Sequence, residues 1–404
     1  TLASRMVTVS GAGGDGTTLT PSLRTALPSL AETTSCAPAG DAHTSARKQA
    51  AAAAGSLLDM ARDCTTPARP HYHDAMPIPV LVTDAEYRRA EDLFREVEDF
   101  DCAVAPSDEA GLAAAIRAAG VRHVIVGHQK YEGPLYDALP RGGVIARFGV
   151  GHDGVDKNKA TERGLICTNA PGVLDQSVAE FTVLMLGAAS RHLAAMDADL
   201  RAGRWQPRTG VELAGRTLAI LGLGRIGRAV ARIASRGFDM RVVGLVRREM
   251  APPPDVDVVT TDYETAVRDA DFVSLHVPSS PETHHYMSAA RFAAMPRHAW
   301  FINTARGAVV DEAALYDALA EGRIAGAALD VFDREPYVPV DPERDLRKLP
   351  NVLLTPHVGS ATPQANRAMG SRALQNIRLA VEGRYAEMDV LNPDVLERLG
   401  VSGR

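Results

Sequence analysis

Three glycines, Gly222, Gly224 and Gly227, punctuate the stretch LAILGLGRIGR at positions 218–228. They follow a run of aliphatic residues and open a segment with helical patterning, RIGRAVARIASRGF at 225–238. Glycines at this spacing let a chain turn tightly out of a strand, let a pyrophosphate approach the backbone and let helix meet strand closely. The helix N-terminus, with its unpaired N–H groups, then faces the anion. Gly222, Gly224, Arg225, Ile226 and Gly227 are therefore candidates for dinucleotide binding. A glycine turn required by packing alone is the competing explanation; a strand before it, a helix after it and a further strand favour the dinucleotide.

The next apolar run, MRVVGLV at 240–246, is where such a fold places the acidic residue that binds the ribose hydroxyls of NAD. Here the run ends in Val246, Arg247 and Arg248. No carboxylate stands there to repel a 2′-phosphate, and two guanidinium groups can pair with one. Arg247 and Arg248 thus predict NADP as the preferred cofactor, with NAD as the second choice. Two ordinary solvated charges are the alternative.

These elements belong to a chain of 404 residues, 46% hydrophobic and 23% charged, long enough for two domains. A net charge of −6 and no run of five basic residues argue against nucleic acid as a partner. Cys36, Cys64, Cys102 and Cys167 are scattered without a paired spacing, which predicts neither disulfide framework nor zinc site and fits a reducing compartment, the cytoplasm. Arg, Asp or Glu interrupts every apolar stretch before it reaches the roughly 18 residues of a membrane helix.

Residues 1–75 are rich in Ala, Ser, Thr, Gly and Pro, with one aromatic, Tyr72, and no sustained periodicity. They are expected to form a disordered, dispensable extension, the folded part starting near Met76. The triplet His-Tyr-His at 71–73 has no accompanying ligand cluster, and no metal site is predicted. A targeting peptide is not supported, because acids balance bases in this segment.

From 77 onward short apolar runs alternate with helical patterns, the signature of parallel sheets covered by helices. One series runs through VLV, VRHVIVG and GGVIARFGV; a second follows a long helical stretch from about 176 to 204 and runs through RTLAILG, MRVVGLV, ADFVSLHV, AWFINTA, IAGAALDVF and NVLLTPHV. The fold class expected is α/β, two Rossmann-like or flavodoxin-like lobes with an interdomain cleft. The expected division is 77–175 plus 359–395 for the substrate domain and 176–358 for the dinucleotide-binding domain.

Five further stretches, RFGVGHDGVD (147–156), QSVAEFTVLMLGAASR (176–191), FINTARGAVVDE (301–312), AALDVFDREP (327–336) and LLTPHVGSAT (353–362), closely resemble the D-isomer-specific 2-hydroxyacid dehydrogenases. The resemblance spans about 78–395 in the family's order, and within the family it is nearest the glyoxylate/hydroxypyruvate reductase type. It implies that Arg306 holds a substrate carboxylate and polarises the adjacent carbonyl. It implies that His357 is the acid/base, with Glu335 as its partner. It also implies that backbone N–H groups at Val150 and Gly151 receive the carboxylate, that Pro278 and Thr304 line the cofactor groove and that Asp330 contacts the nicotinamide carboxamide. A homodimer joined through the cofactor lobes is expected on the same ground.

The partner expected is a small 2-oxo or 2-hydroxy acid such as glyoxylate, hydroxypyruvate or pyruvate. The first-lobe loop at 126–139 offers His128, Gln129, Lys130 and Tyr131 where phosphoglycerate-oxidising members bring an arginine, which disfavours a phosphorylated substrate although Lys130 can still serve a phosphate. The chain's end shortly after VLNPDVLERLG is expected to exclude a feedback-controlled form. Glu335 argues against formate oxidation, which pairs the histidine with glutamine. A phosphite-type anion dehydrogenase, a phosphoglycerate dehydrogenase and a dinucleotide-sensing corepressor remain as alternatives. Trp205, Arg191 and Glu180 are expected to pack or link domains, and His152, His284 and His285 to be surface or packing residues.

Overall fold

The computed structural model describes residues 76–401, so the expectations for residues 1–75, including the 71–73 triplet, lie outside the described residues. Two parallel sheets organise the rest. The first holds β1 (Ile78–Thr83), β2 (Phe100–Ala105), β3 (His123–Val126), β4 (Val144–Arg147) and β5 (Ile166–Thr168), in the order β2-β1-β3-β4-β5. The second holds β6 (Thr217–Leu221), β7 (Arg241–Leu245), β8 (Val258–Thr260), β9 (Phe272–Leu275), β10 (Trp300–Asn303), β11 (Gly326–Leu329) and β12 (Val352–Leu354), in the order β12-β11-β10-β9-β6-β7-β8. Every ladder is parallel.

Both orders reverse direction at the first strand of their sheet, next to β3 and β9 respectively. Such a switch point opens a crevice at the carboxyl ends of the strands, where α/β proteins bind ligands. The central strands β3, β4, β6 and β9 are buried throughout, as continuous apolar runs in a two-sided sheet must be. Apolar side chains of the Pro363–Val381 helix, among them Met369, Leu374 and Ile377, pack into the core of the first sheet.

The long helical stretch expected after 175 is two helices, Asp175–Ser190 and Leu193–Arg201. His192 between them takes a left-handed conformation, φ 52°, which breaks the helical ladder. The first of these helices packs against the Arg225–Phe238 helix through Ala179, Leu186 and Val230 in one core. Trp205, expected to pack or to link domains, is 85% exposed and stays out of the core formed by the described residues. No described helix is long and apolar enough to cross a membrane.

Candidate active site

The glycine turn is a consequence of close backbone approach. Gly222 has φ 107°, which L side chains rarely adopt, and a Cβ there would stand 2.6 Å from the His276 carbonyl oxygen. A Cβ on Gly227 would stand 2.1 Å from the Gly222 oxygen. Gly224, by contrast, faces open space at the N-terminus of the Arg225–Phe238 helix. That combination leaves the helix N–H groups accessible to an anion, so the residues present fit the pyrophosphate of a dinucleotide.

Gly224, Arg225, Ile226 and Gly227 form one wall of a cleft of about 330 Å³, which Pro278 and Thr304 line beside them. Val150, Gly151, Arg306 and His357 line the same cleft. Gly222, Asp330 and Glu335 stand behind this lining, and Arg247 and Arg248 lie outside it, exposed just beyond β7. Neither arginine forms an ion pair among the described residues.

Arg306 follows β10 on a turn that Asn303 fixes from both sides. The Asn303 amide donates to the Arg306 carbonyl at 3.0 Å, and its Oδ1 accepts from the Ala305 N–H at 3.0 Å. The guanidinium then crosses to the first lobe: its Nε donates to Asp153 Oδ1 at 3.0 Å. Gly151 makes room for it, because a Cβ there would stand 1.2 Å from Arg306 Nη2.

His357 has φ 53°, an uncommon backbone for a residue with a side chain. Asp330 pins that turn. Its carboxylate accepts from Thr355 Oγ1 at 2.6 Å, from Val358 N–H at 2.9 Å and from Gly359 N–H at 2.8 Å, while its carbonyl accepts from His357 N–H at 2.8 Å. The visible role of Asp330 is therefore to brace the histidine turn, whereas the resemblance puts it against the cofactor. Burial pushes its carboxyl pKa up, against the pull of those hydrogen bonds.

His357 Nδ1 meets Glu335 Oε2 at 2.6 Å, and Glu335 Oε1 accepts from Phe332 N–H at 3.0 Å. Burial alone would raise the Glu335 pKa, but the His357 hydrogen bond and charge, the Phe332 N–H and His128 carry it net below the usual carboxylate value.

Several groups here stand at the site in ways that the sequence alone does not reveal. Arg147 at the end of β4 is 8% exposed, lines the cleft and donates to the Phe148 carbonyl. Burial and the neighbouring Arg306 lower its pKa to about 10, so it is still cationic at neutral pH. His152, expected as a surface or packing residue, also lines the cleft, with Nδ1 3.3 Å from Lys157 Nζ. His276 lines it too and meets Ser274 Oγ at 2.8 Å. His128, from the loop after β3, brings Nε2 to 3.7 Å from Glu335 Oε2. The ring centroids of His128 and His357 are 5.1 Å apart.

Comparison with known proteins adds independent observations. Residues 183–359 match the family model for the NAD-binding domain of D-isomer specific 2-hydroxyacid dehydrogenases. A glyoxylate reductase from Thermococcus litoralis is 39% identical over 277 residues, 66% of this chain and 82% of that protein. The chain belongs to the D-isomer-specific 2-hydroxyacid dehydrogenase family.

A D-3-phosphoglycerate dehydrogenase from Methanocaldococcus jannaschii is 38% identical over 329 residues, 80% of this chain and 61% of that protein. Among solved structures, the NADPH-dependent glyoxylate/hydroxypyruvate reductase of Sinorhizobium meliloti, in complex with NADP and malonate, superposes with a TM-score of 0.65 at 34% identity. The match covers 76% of this chain and 93% of that one. As a D-2-hydroxyacid dehydrogenase the protein is an NAD(P)-dependent oxidoreductase.

Proposed function

We propose that the protein reduces a small 2-oxo acid, glyoxylate or hydroxypyruvate foremost, to the D-2-hydroxy acid, with NADP preferred over NAD. The observation that carries this reading is the convergence of the Glu335–His357 pair, at 2.6 Å, with Arg306 in the cleft that the glycine turn also lines. The names of the Thermococcus and Sinorhizobium relatives point the same way.

In this reading the Arg306 guanidinium grips the substrate carboxylate and polarises the adjacent carbonyl, helped by the N–H groups of Val150 and Gly151. His357 donates a proton from the ring nitrogen opposite Glu335 to the carbonyl oxygen, and takes it back in oxidation. Glu335 fixes the tautomer, and Asp330 braces the turn that presents the ring. The nicotinamide cofactor, when bound along Gly224–Gly227, Pro278 and Thr304, supplies the hydride. Arg147 adds a second cation, this one buried, which favours an acidic substrate. Arg247 and Arg248, exposed beyond β7 and without an ion pair among the described residues, support the preference for NADP, as cations able to pair with a 2′-phosphate.

The relative named for phosphoglycerate, together with Arg147 and the exposed Lys130, favours 3-phosphoglycerate oxidation as the second reading. The exposed side chains of Leu184, Leu193, Leu200 and Trp205 support a homodimer formed through this lobe. The free thiols of Cys102 and Cys167 suit the cytoplasm.

The deciding experiment follows absorbance at 340 nm with NADPH and NADH against glyoxylate, hydroxypyruvate, pyruvate and 2-oxoglutarate, and in the reverse direction with 3-phosphoglycerate. Rapid NADPH oxidation with a two- or three-carbon oxo acid is expected. Turnover confined to phosphoglycerate installs the second reading, and silence with every acid removes both.

A further inference from the structure

His128, Glu335 and His357 present two imidazoles and a carboxylate whose ligand atoms all lie within 4.8 Å of one another. A tetrahedral zinc ion with bonds near 2.0 Å holds neighbouring donors about 3.3 Å apart. The His128–Glu335 separation of 3.7 Å is close to that value, and the 2.6 Å Glu335–His357 contact needs only to open slightly. Nothing in the sequence signals this set, because its members are 207 and 22 positions apart and come from different sheets.

We propose that these three residues form an inhibitory site for a borderline transition-metal ion, Zn²⁺ foremost, which staples the first-lobe loop to the acid/base pair. The inhibitory part rests on the functional reading above; the binding part does not. Two nitrogen donors select Zn²⁺, Co²⁺ or Ni²⁺ over Mg²⁺ and Ca²⁺, which demand oxygen. His128 turns Nε2 toward the pair, 3.7 Å from Glu335 Oε2. The side chain is still 38% exposed, which leaves an entry path from solvent. The Arg147 guanidinium opposes a cation here, so the site binds less tightly than a closed four-ligand zinc centre.

Bound metal takes Glu335 and His357 out of their mutual hydrogen bond, so proton delivery stops. It also ties β3's loop to the elements carrying Glu335 and His357, so the cleft can no longer flex. The site thus makes the enzyme sensitive to free zinc.

The test uses the full-length chain and Zn²⁺ alone. Calorimetry should show one more Zn²⁺ ion bound per wild-type chain than per His128→Gln chain. Inhibition of oxo-acid reduction, each protein scaled to its own rate in EDTA, should need at least about tenfold more Zn²⁺ in the variant, since even loss of an indirect metal contact costs that much. Co²⁺ should give the visible bands of a low-coordinate nitrogen–oxygen site in the wild type and lose them in the variant, and Mg²⁺ should not inhibit. Equal binding, equal inhibition and equal Co²⁺ spectra in the two proteins would overturn the proposal. If no oxo acid is reduced but binding still depends on His128, the metal site stands and the catalytic reading falls.

Discussion

Arg306 and Asp153 meet across the cleft, Nε to Oδ1 at 3.0 Å, joining residues 153 positions apart in the chain. Asp153 is 46% exposed at its side chain and its pKa stays below the usual range, because the Arg306 charge and hydrogen bond outweigh the cost of burial. The carboxylate is thus ionised at neutral pH and aims the guanidinium from the opposite lobe.

Asp153→Asn keeps the shape but removes the charge. We expect kcat/KM for the oxo acid to fall about tenfold, mainly through KM, which corresponds to about 1.4 kcal/mol of lost orientation. Steady-state kinetics at saturating cofactor check this, and an unchanged KM would show that Arg306 is aimed by its own turn alone.

Gly151→Ala drives a methyl group into the space of Arg306 Nη2. The backbone tolerates alanine, because Gly151 has no left-handed φ. We expect a native circular dichroism spectrum with about 100-fold lower kcat/KM, the scale of an ångström-sized misplacement of a catalytic group. A near-wild-type rate would mean that Arg306 acts from another position.

Glu335→Gln should lower kcat by about 10²–10⁴-fold, the usual worth of general acid–base catalysis. It should also change stability in a pH-dependent way. The folded-state pKa of Glu335 is depressed, so its ionised form stabilises the protein above the unfolded-state value and that contribution is lost as pH falls through the folded one. The Tm gap between wild type and variant should therefore be widest at neutral pH and close in acid below the usual carboxylate range. A gap that is constant with pH would assign the loss to packing.

Val246→Asp places a carboxylate beside Arg247 at the end of β7. The ratio of kcat/KM with NADPH to that with NADH should drop by about tenfold or more, the size of one charge-assisted hydrogen bond lost or gained. A preference that does not move would place the 2′-phosphate away from Arg247 and Arg248.

The central strands were legible because a buried parallel strand reads as a largely apolar run, and β3, β4, β6, β7, β9, β10 and β11 each lie within such a run; β12, an edge strand, was legible from its own apolar run, NVLLTPHV. β2 and β8 escaped notice: both are edge strands, one half exposed as FDCAVA, the other only three partly buried residues long. β5 is just three residues. The glycine turn was readable since its requirement is steric and local. Arg147 and Asp153 carry no signal in their own stretch, 147–156, and His152 reads there as a surface or packing residue, because the importance of all three lies in partners contributed by distant segments. Asp330 shows the same limit: its sequence neighbourhood does not reveal that three donors from the 355–359 turn consume its carboxylate.

That braced turn sets the order of assembly. The anchor sits just beyond β11, and the segment it holds follows β12, the outermost strand of a seven-stranded sheet. Until both strands have docked in parallel register, nothing holds His357 in its left-handed conformation. We expect turnover to return after helix content when a denatured chain refolds, and activity regained in step with circular dichroism would show that the turn forms early.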